Sequence, residues 1–81
     1  MDIKILGTGC AKCQALERAV RAVVAREGID ADVSKVEDIV DIMNYGVMMT
    51  PAVVVDGKVV VKGRVPSDAE IVTILRNTEA V

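Results

Sequence analysis

The stretch Ile3-Lys4-Ile5-Leu6-Gly7-Thr8-Gly9-Cys10-Ala11-Lys12-Cys13 decides how this chain is read. Its first four residues form a short, largely apolar run stopped by Gly7-Thr8-Gly9, which predicts a strand that delivers the chain to Cys10. From Ala11 to Glu27 the period becomes helical. Leu16, Val20, Val23 and Val24 fall on one face, Lys12, Arg18, Arg21 and Glu27 lie elsewhere, and Gly28 ends the helix as its C′ residue. Two cysteines spaced three apart therefore open a helix. The first helical turn presents unpaired N–H groups and the positive end of the macrodipole, both of which favour a thiolate over a thiol. Cys10 is the candidate nucleophile. Carried backwards, the apolar stripe takes in Cys13, so Cys13 is expected to be buried while Cys10 sits at the cap toward solvent.

The totals bound the possibilities. At 81 residues the chain suits one compact domain spanning 1–81. Hydrophobic residues make up 52% but aromatics only 1%, so the core must come from Val, Ile, Leu, Met and Ala, and the abundance of Val argues for a sheet. Net charge is −2, with the ten Lys and Arg scattered rather than gathered, which gives no nucleic-acid footprint. No apolar stretch approaches the ~18 residues a membrane span needs, and Met1 leads into a strand rather than into a targeting segment. A cytoplasmic location is the default expectation. In that reducing compartment a close cysteine pair is more often catalytic or metal-binding than a structural staple.

Beyond the first helix, a second strand is expected at about Ala31 to Val36. A short helix should follow from about Glu37 to Asn44, with Val36, Ile39, Val40 and Met43 facing inward and acidic Glu37 and Asp38 in its first turn. Tyr45-Gly46 breaks it, and Val47-Met48-Met49-Thr50-Pro51 connects to Ala52 to Val55. Asp56-Gly57 then turns the chain into Lys58 to Lys62, a hairpin with a two-residue loop. Ser67 and Glu70 form a capping box for a last helix with Ile71, Ile74 and Leu75 inward, running to about Asn77, after which Glu79-Ala80-Val81 should fray. The order is β-α-β-α-β-β-α.

The first strand, helix and second strand make a right-handed βαβ unit with parallel strands. With the hairpin added, the element order, the Gly7-Thr8-Gly9-Cys10-Ala11-Lys12-Cys13 motif and the Tyr45-Gly46-Val47-Met48-Met49-Thr50-Pro51-Ala52 segment resemble the thioredoxin-like superfamily. Within it the chain is similar to the small archaeal and bacterial redox-active disulfide proteins. The resemblance covers essentially the whole chain and implies an α/β thioredoxin-like fold, a four-stranded mixed sheet flanked by helices. It also implies that Pro51 has a cis peptide bond and lies opposite the cysteines, with Thr50 offering backbone groups to an extended substrate segment. Thioredoxins usually have Trp before the first cysteine and Gly-Pro between the two, where this chain has Gly9 and Ala11-Lys12. They also carry a buried acid where this first strand has Lys4, which leaves the proton acceptor of Cys13 unassigned.

The chemistry expected is attack by Cys10 thiolate on a partner's disulfide, followed by attack of Cys13 on Cys10 to release reduced partner. Lys12 should help lower the Cys10 pKa below the free value of about 8.5. Substrate contact is expected from Thr8, Gly9, Met49, Thr50 and Pro51, with Met48, Gly63, Arg64 and Val65 on the same rim; Met48 and Met49 also suit a role as core gap-fillers. The partners implied are protein disulfides, with a protein reductase or glutathione as electron donor. No cofactor, nucleic acid or membrane is expected, and the chain should be a monomer. Glutaredoxins use the corresponding helix start to hold glutathione's carboxylate, which leaves Ser67 and Asp68 an alternative to capping. The rival reading is a Cu(I) carrier using the same two thiolates, since copper-chaperone domains also place C-x-x-C after their first strand. Their order, however, is β-α-β-β-α-β. A closed zinc site would need four ligands, and there is no His and no third Cys.

Overall fold

The computed structural model describes residues 1–79. Its elements are β1 (Asp2–Leu6), α1 (Ala11–Glu27), β2 (Asp32–Val36), α2 (Ile39–Asn44), β3 (Ala52–Val55), β4 (Lys58–Lys62) and α3 (Asp68–Glu79). The four strands form one mixed sheet in the order β2-β1-β3-β4. β1 is parallel to β2 and antiparallel to β3, and β3 is antiparallel to β4. The chain therefore has the α/β thioredoxin-like architecture, four mixed strands flanked by helices.

Central β3 is apolar on both faces because both faces are covered. On one, Val53 and Val55 join Ile3 and Ile5 of β1, Leu16, Val20 and Val23 of α1, and Ile71 and Leu75 of α3. On the other, Ala52 and Val54 join Leu6, Ile42 and Val47 in a smaller cluster. Asp56 and Gly57 both take positive φ, 50° and 84°, so the β3–β4 turn follows the right-handed twist of its strands. A bulge opposite Val53 and Val54 lets consecutive Val60 and Val61 both pack on the α1/α3 side.

The helix ends follow local chemistry. Gly28 caps α1 in the left-handed conformation, its N–H donating to the carbonyl of Val24. Asp38 caps α2 by accepting the N–H groups of Val40 and Asp41, so the helix begins at Ile39 rather than at Glu37. At α3 the capping box is half formed: the Glu70 N–H donates to Ser67 Oγ at 3.2 Å, but the Glu70 carboxylate is bound by Arg64 at 2.6 Å. α3 continues past Asn77 through Glu79, while Ala80 and Val81, part of the segment expected to fray, lie outside the described residues.

The inward face expected for α2 is corrected. Only Ile42 of this helix is buried; Ile39 and Met43 are 63% and 59% exposed and Val40 is exposed with them, while Val36 is partly buried against the smaller cluster. Four of the five residues Ile39-Val40-Asp41-Ile42-Met43 are apolar, so period alone cannot set the phase of a helix this short. Over Leu6, Ala52 and Val54, Val47 shares the cover and Ile42 is the one residue of α2 buried there.

Candidate active site

The carboxyl end of β1 carries the site. The N–H of Gly7 donates to the Val36 carbonyl at 3.0 Å, extending the β1–β2 pairing by one residue before the chain turns through Thr8 and Gly9. Cys10 follows as the N-cap of α1, with extended backbone (φ −68°, ψ 167°), and its carbonyl accepts the first helical bond from the Gln14 N–H. The Gln14 side chain holds the loop by donating to the Gly9 carbonyl at 3.0 Å. Both cysteines are reduced, Cys10 exposed and Cys13 buried at 5% exposure, as the helical phase predicts.

Their electrostatics are opposed. The Cys13 N–H donates to Cys10 Sγ at 3.3 Å, one of the orphan amides of the first turn. Cys10 is held below the ordinary thiol value chiefly by its hydrogen bond with the Cys13 side chain, then by that Cys13 N–H, with a smaller part from the backbone N–H of Lys12. What Lys12 supplies to this shift is its amide; its side chain lies exposed on the first turn. Burial pushes the Cys13 thiol up, and its hydrogen bond to Cys10 and the charge of the Cys10 thiolate push it further. Alkylation of Cys10 is therefore expected to rise with pH through a midpoint below about 8.5, and to return toward that value in the urea-unfolded chain. Iodoacetamide rates across pH measure it, and a folded midpoint at or above the unfolded one would contradict the assignment.

Gly7 is a site residue that sequence reading treated only as a strand stop. A Cβ there would lie 2.4 Å from Cys13 Sγ and 2.8 Å from Cys13 Cβ, so the absence of a side chain is what lets α1 seat Cys13 against β1. Glu17, Lys35 and Glu37 were also missed. They line a cavity of about 80 Å³ together with Gly7, Gly9 and Cys13. The signal that points to Lys35 and Glu37 is topological, since the carboxyl ends of neighbouring parallel strands converge on one crevice; Glu17 reaches it from α1, one turn beyond Cys13.

The remaining expected residues fall on two adjoining walls. Thr8 and Thr50 face one groove of about 310 Å³ with Ile42, Met43, Val47 and Met48. The Thr50–Pro51 peptide bond is cis, Pro51 is buried and its carbonyl accepts the Gly63 N–H at 2.8 Å. Met49 lies against Gly63, and both Met48, at 89%, and Met49 are exposed rather than core gap-fillers. Arg64 is occupied by Glu70, whose carboxyl it holds below the usual carboxylate range, and Asp68 is 3.6 Å from Arg26. Among the described residues no group of three or more His, Cys, Asp or Glu side chains is placed to hold a metal ion. None of the described helices is long and apolar enough to cross a membrane.

A dithiol divided between an exposed helix cap and a buried first turn, beside the central strand of such a sheet, defines a thioredoxin-like disulfide oxidoreductase. A thioredoxin-domain family model matches residues 1–76. The chain is 44% identical over 75 residues to a thioredoxin of Methanothermobacter thermautotrophicus, covering 93% of this chain and 97% of that protein. It is 42% identical over 69 residues to a thioredoxin of Methanocaldococcus jannaschii, covering 85% of this chain and 79% of that one. The chain belongs to the thioredoxin family, and is a small member of it acting as a thiol–disulfide oxidoreductase.

Proposed function

We propose that the chain reduces disulfides of protein partners, with Cys10 as nucleophile and Cys13 as resolving thiol. The unequal placement of the pair carries this reading: the exposed Cys10 Sγ accepts the Cys13 N–H, while Cys13 is buried behind it. Cys10 thiolate attacks one sulfur of the partner's disulfide, expelling the other as a thiolate and forming a mixed disulfide. Cys13, once deprotonated, attacks Cys10 Sγ; the partner leaves as its second thiolate, and two electrons have passed from the Cys10/Cys13 dithiol to the partner. Thr8, Gly9, Met49, Thr50 and Pro51 receive the partner's chain, and Lys12 supports the thiolate through its N–H and adds a positive charge at the rim.

A protein reductase, rather than glutathione, is the donor that fits. The groups at the start of α3 that would hold a small anionic tripeptide are engaged within the chain. Arg64 is held by Glu70, Ser67 Oγ accepts the Glu70 N–H, and Asp68 lies near Arg26. Changing Cys13 to Ser is expected to trap partners on Cys10 as mixed disulfides, seen as higher-mass species on non-reducing gels that dithiothreitol dissolves. A Cys13→Ser chain that accumulates none under oxidising conditions, while its Cys10 remains alkylatable, would remove the exchange mechanism.

A further inference from the structure

Closing the Cys10–Cys13 disulfide requires Cys13 to lose its proton while it is nearly sealed from solvent. A partner held on Cys10 covers the outer side at that moment. A way out is offered by the cavity that Cys13 also lines, whose volume of about 80 Å³ is room for a few waters. Gly7 and Gly9 line this space without side chains, and Cys13 lines it with them. We infer that this cavity is the proton path of the resolving step and that the carboxylate of Glu37, an exposed residue that lines it, is the acceptor. The inference rests on the reading of Cys13 as the resolving thiol.

The charged and titratable groups on the cavity are Cys13 and Glu17 from α1, Lys35 from the end of β2 and Glu37 just after it; Gln14 of α1, Ile5 of β1, and Gly7 and Gly9 of the loop that follows β1 complete the lining. Glu17 is already engaged, with Oε2 3.0 Å from Arg21 Nε and Oε1 3.8 Å from Lys35 Nζ. Asp38, next to Glu37, is committed to capping α2, and Lys12 does not line the cavity. Glu37 belongs to none of these ion pairs or caps, and its Oε2 lies 3.7 Å from where a Cβ on Gly9 would stand, directly over the loop that precedes Cys10. The Cys13 proton passes through water to Glu37, the Cys13 Sγ–Cys10 Sγ bond forms, the Cys10–partner S–S bond breaks, and the departing thiolate takes up a proton from Glu37 or solvent. No oxidant other than the partner's disulfide is consumed.

The test is a single-turnover measurement on the full chain. Cys10 is loaded with thionitrobenzoate as a mixed disulfide, and its release on closure is followed by stopped flow against pH. Glu37→Gln is expected to slow release at least about tenfold near neutral pH, to converge on the unsubstituted rate where Cys13 ionises by itself, and to regain rate when acetate or formate is added as an external base. Iodoacetamide reactivity of unloaded Cys10 should be unchanged. Superimposed profiles would overturn the assignment, as would faster release in the variant, the sign expected if Glu37 acted only as a negative charge opposing the Cys13 thiolate. A variant that stays slow at high pH and is not rescued would be a structural effect and would overturn it too. If the unsubstituted chain releases no thionitrobenzoate, the exchange reading itself falls and this inference with it.

Discussion

Replacing Gly7 by alanine is expected to lower both the stability of the reduced chain and the rate at which Cys10 and Cys13 close. The added Cβ would stand 2.4 Å from Cys13 Sγ and 2.8 Å from Cys13 Cβ. A χ1 rotation could move the sulfur, but Cys13 Cβ is fixed to the backbone of α1, so the first turn itself must withdraw from β1. Overpacking of this kind costs roughly 1–3 kcal/mol, about 4–8 °C of Tm per kcal/mol in a domain of this size. Closure should slow as well, because a misplacement of about 1 Å in reacting groups costs on the order of 10²-fold. Thermal melting of the reduced chain and stopped-flow closure measure the two effects. A Gly7→Ala chain with the original Tm and closure rate would show that the strand–helix contact does not set the cysteine geometry.

Truncation of Leu16 to alanine should have the largest effect on stability. Leu16 is fully buried between α1, β1 and α3, in a core without a single buried aromatic. Removing its side chain costs about 2–5 kcal/mol from a total that for a small domain is roughly 5–15 kcal/mol. Because Leu16 lies one turn beyond Cys13 on the same face, loosening α1 at this point should also raise the alkylation rate of Cys13. Urea unfolding and differential alkylation would register both; a loss under 1 kcal/mol would mean that the α1/α3 core repacks around the vacancy.

The parts of the molecule written in short-range patterns were legible from the chain alone. The Cys10 cap, the Gly28 stop, the Asp56-Gly57 turn and the period of α1 each depend on residues a few positions apart, and the unequal exposure of the two cysteines followed from helical phase. α2 was misread because four apolar residues in five offer two nearly equal faces, and the sheet chooses between them. The Ser67/Glu70 box was half right because Arg64, from outside the helix, took the Glu70 carboxylate.

The sequence by itself determined the class of chemistry: a cysteine pair at a helix start, in a β-α-β-α-β-β-α order that fits few architectures. Only the tertiary structure decided what surrounds that pair. The need for no side chain at Gly7 comes from seating the first turn of α1 against the end of β1, and the approach of Lys35 and Glu37 to Cys13 and Glu17 comes from pairing β1 with β2 in parallel. That contact joins residues far apart in the chain, and no local periodicity encodes it. Burial and a shared cavity are properties of packed surfaces, which exist only once the strands have met.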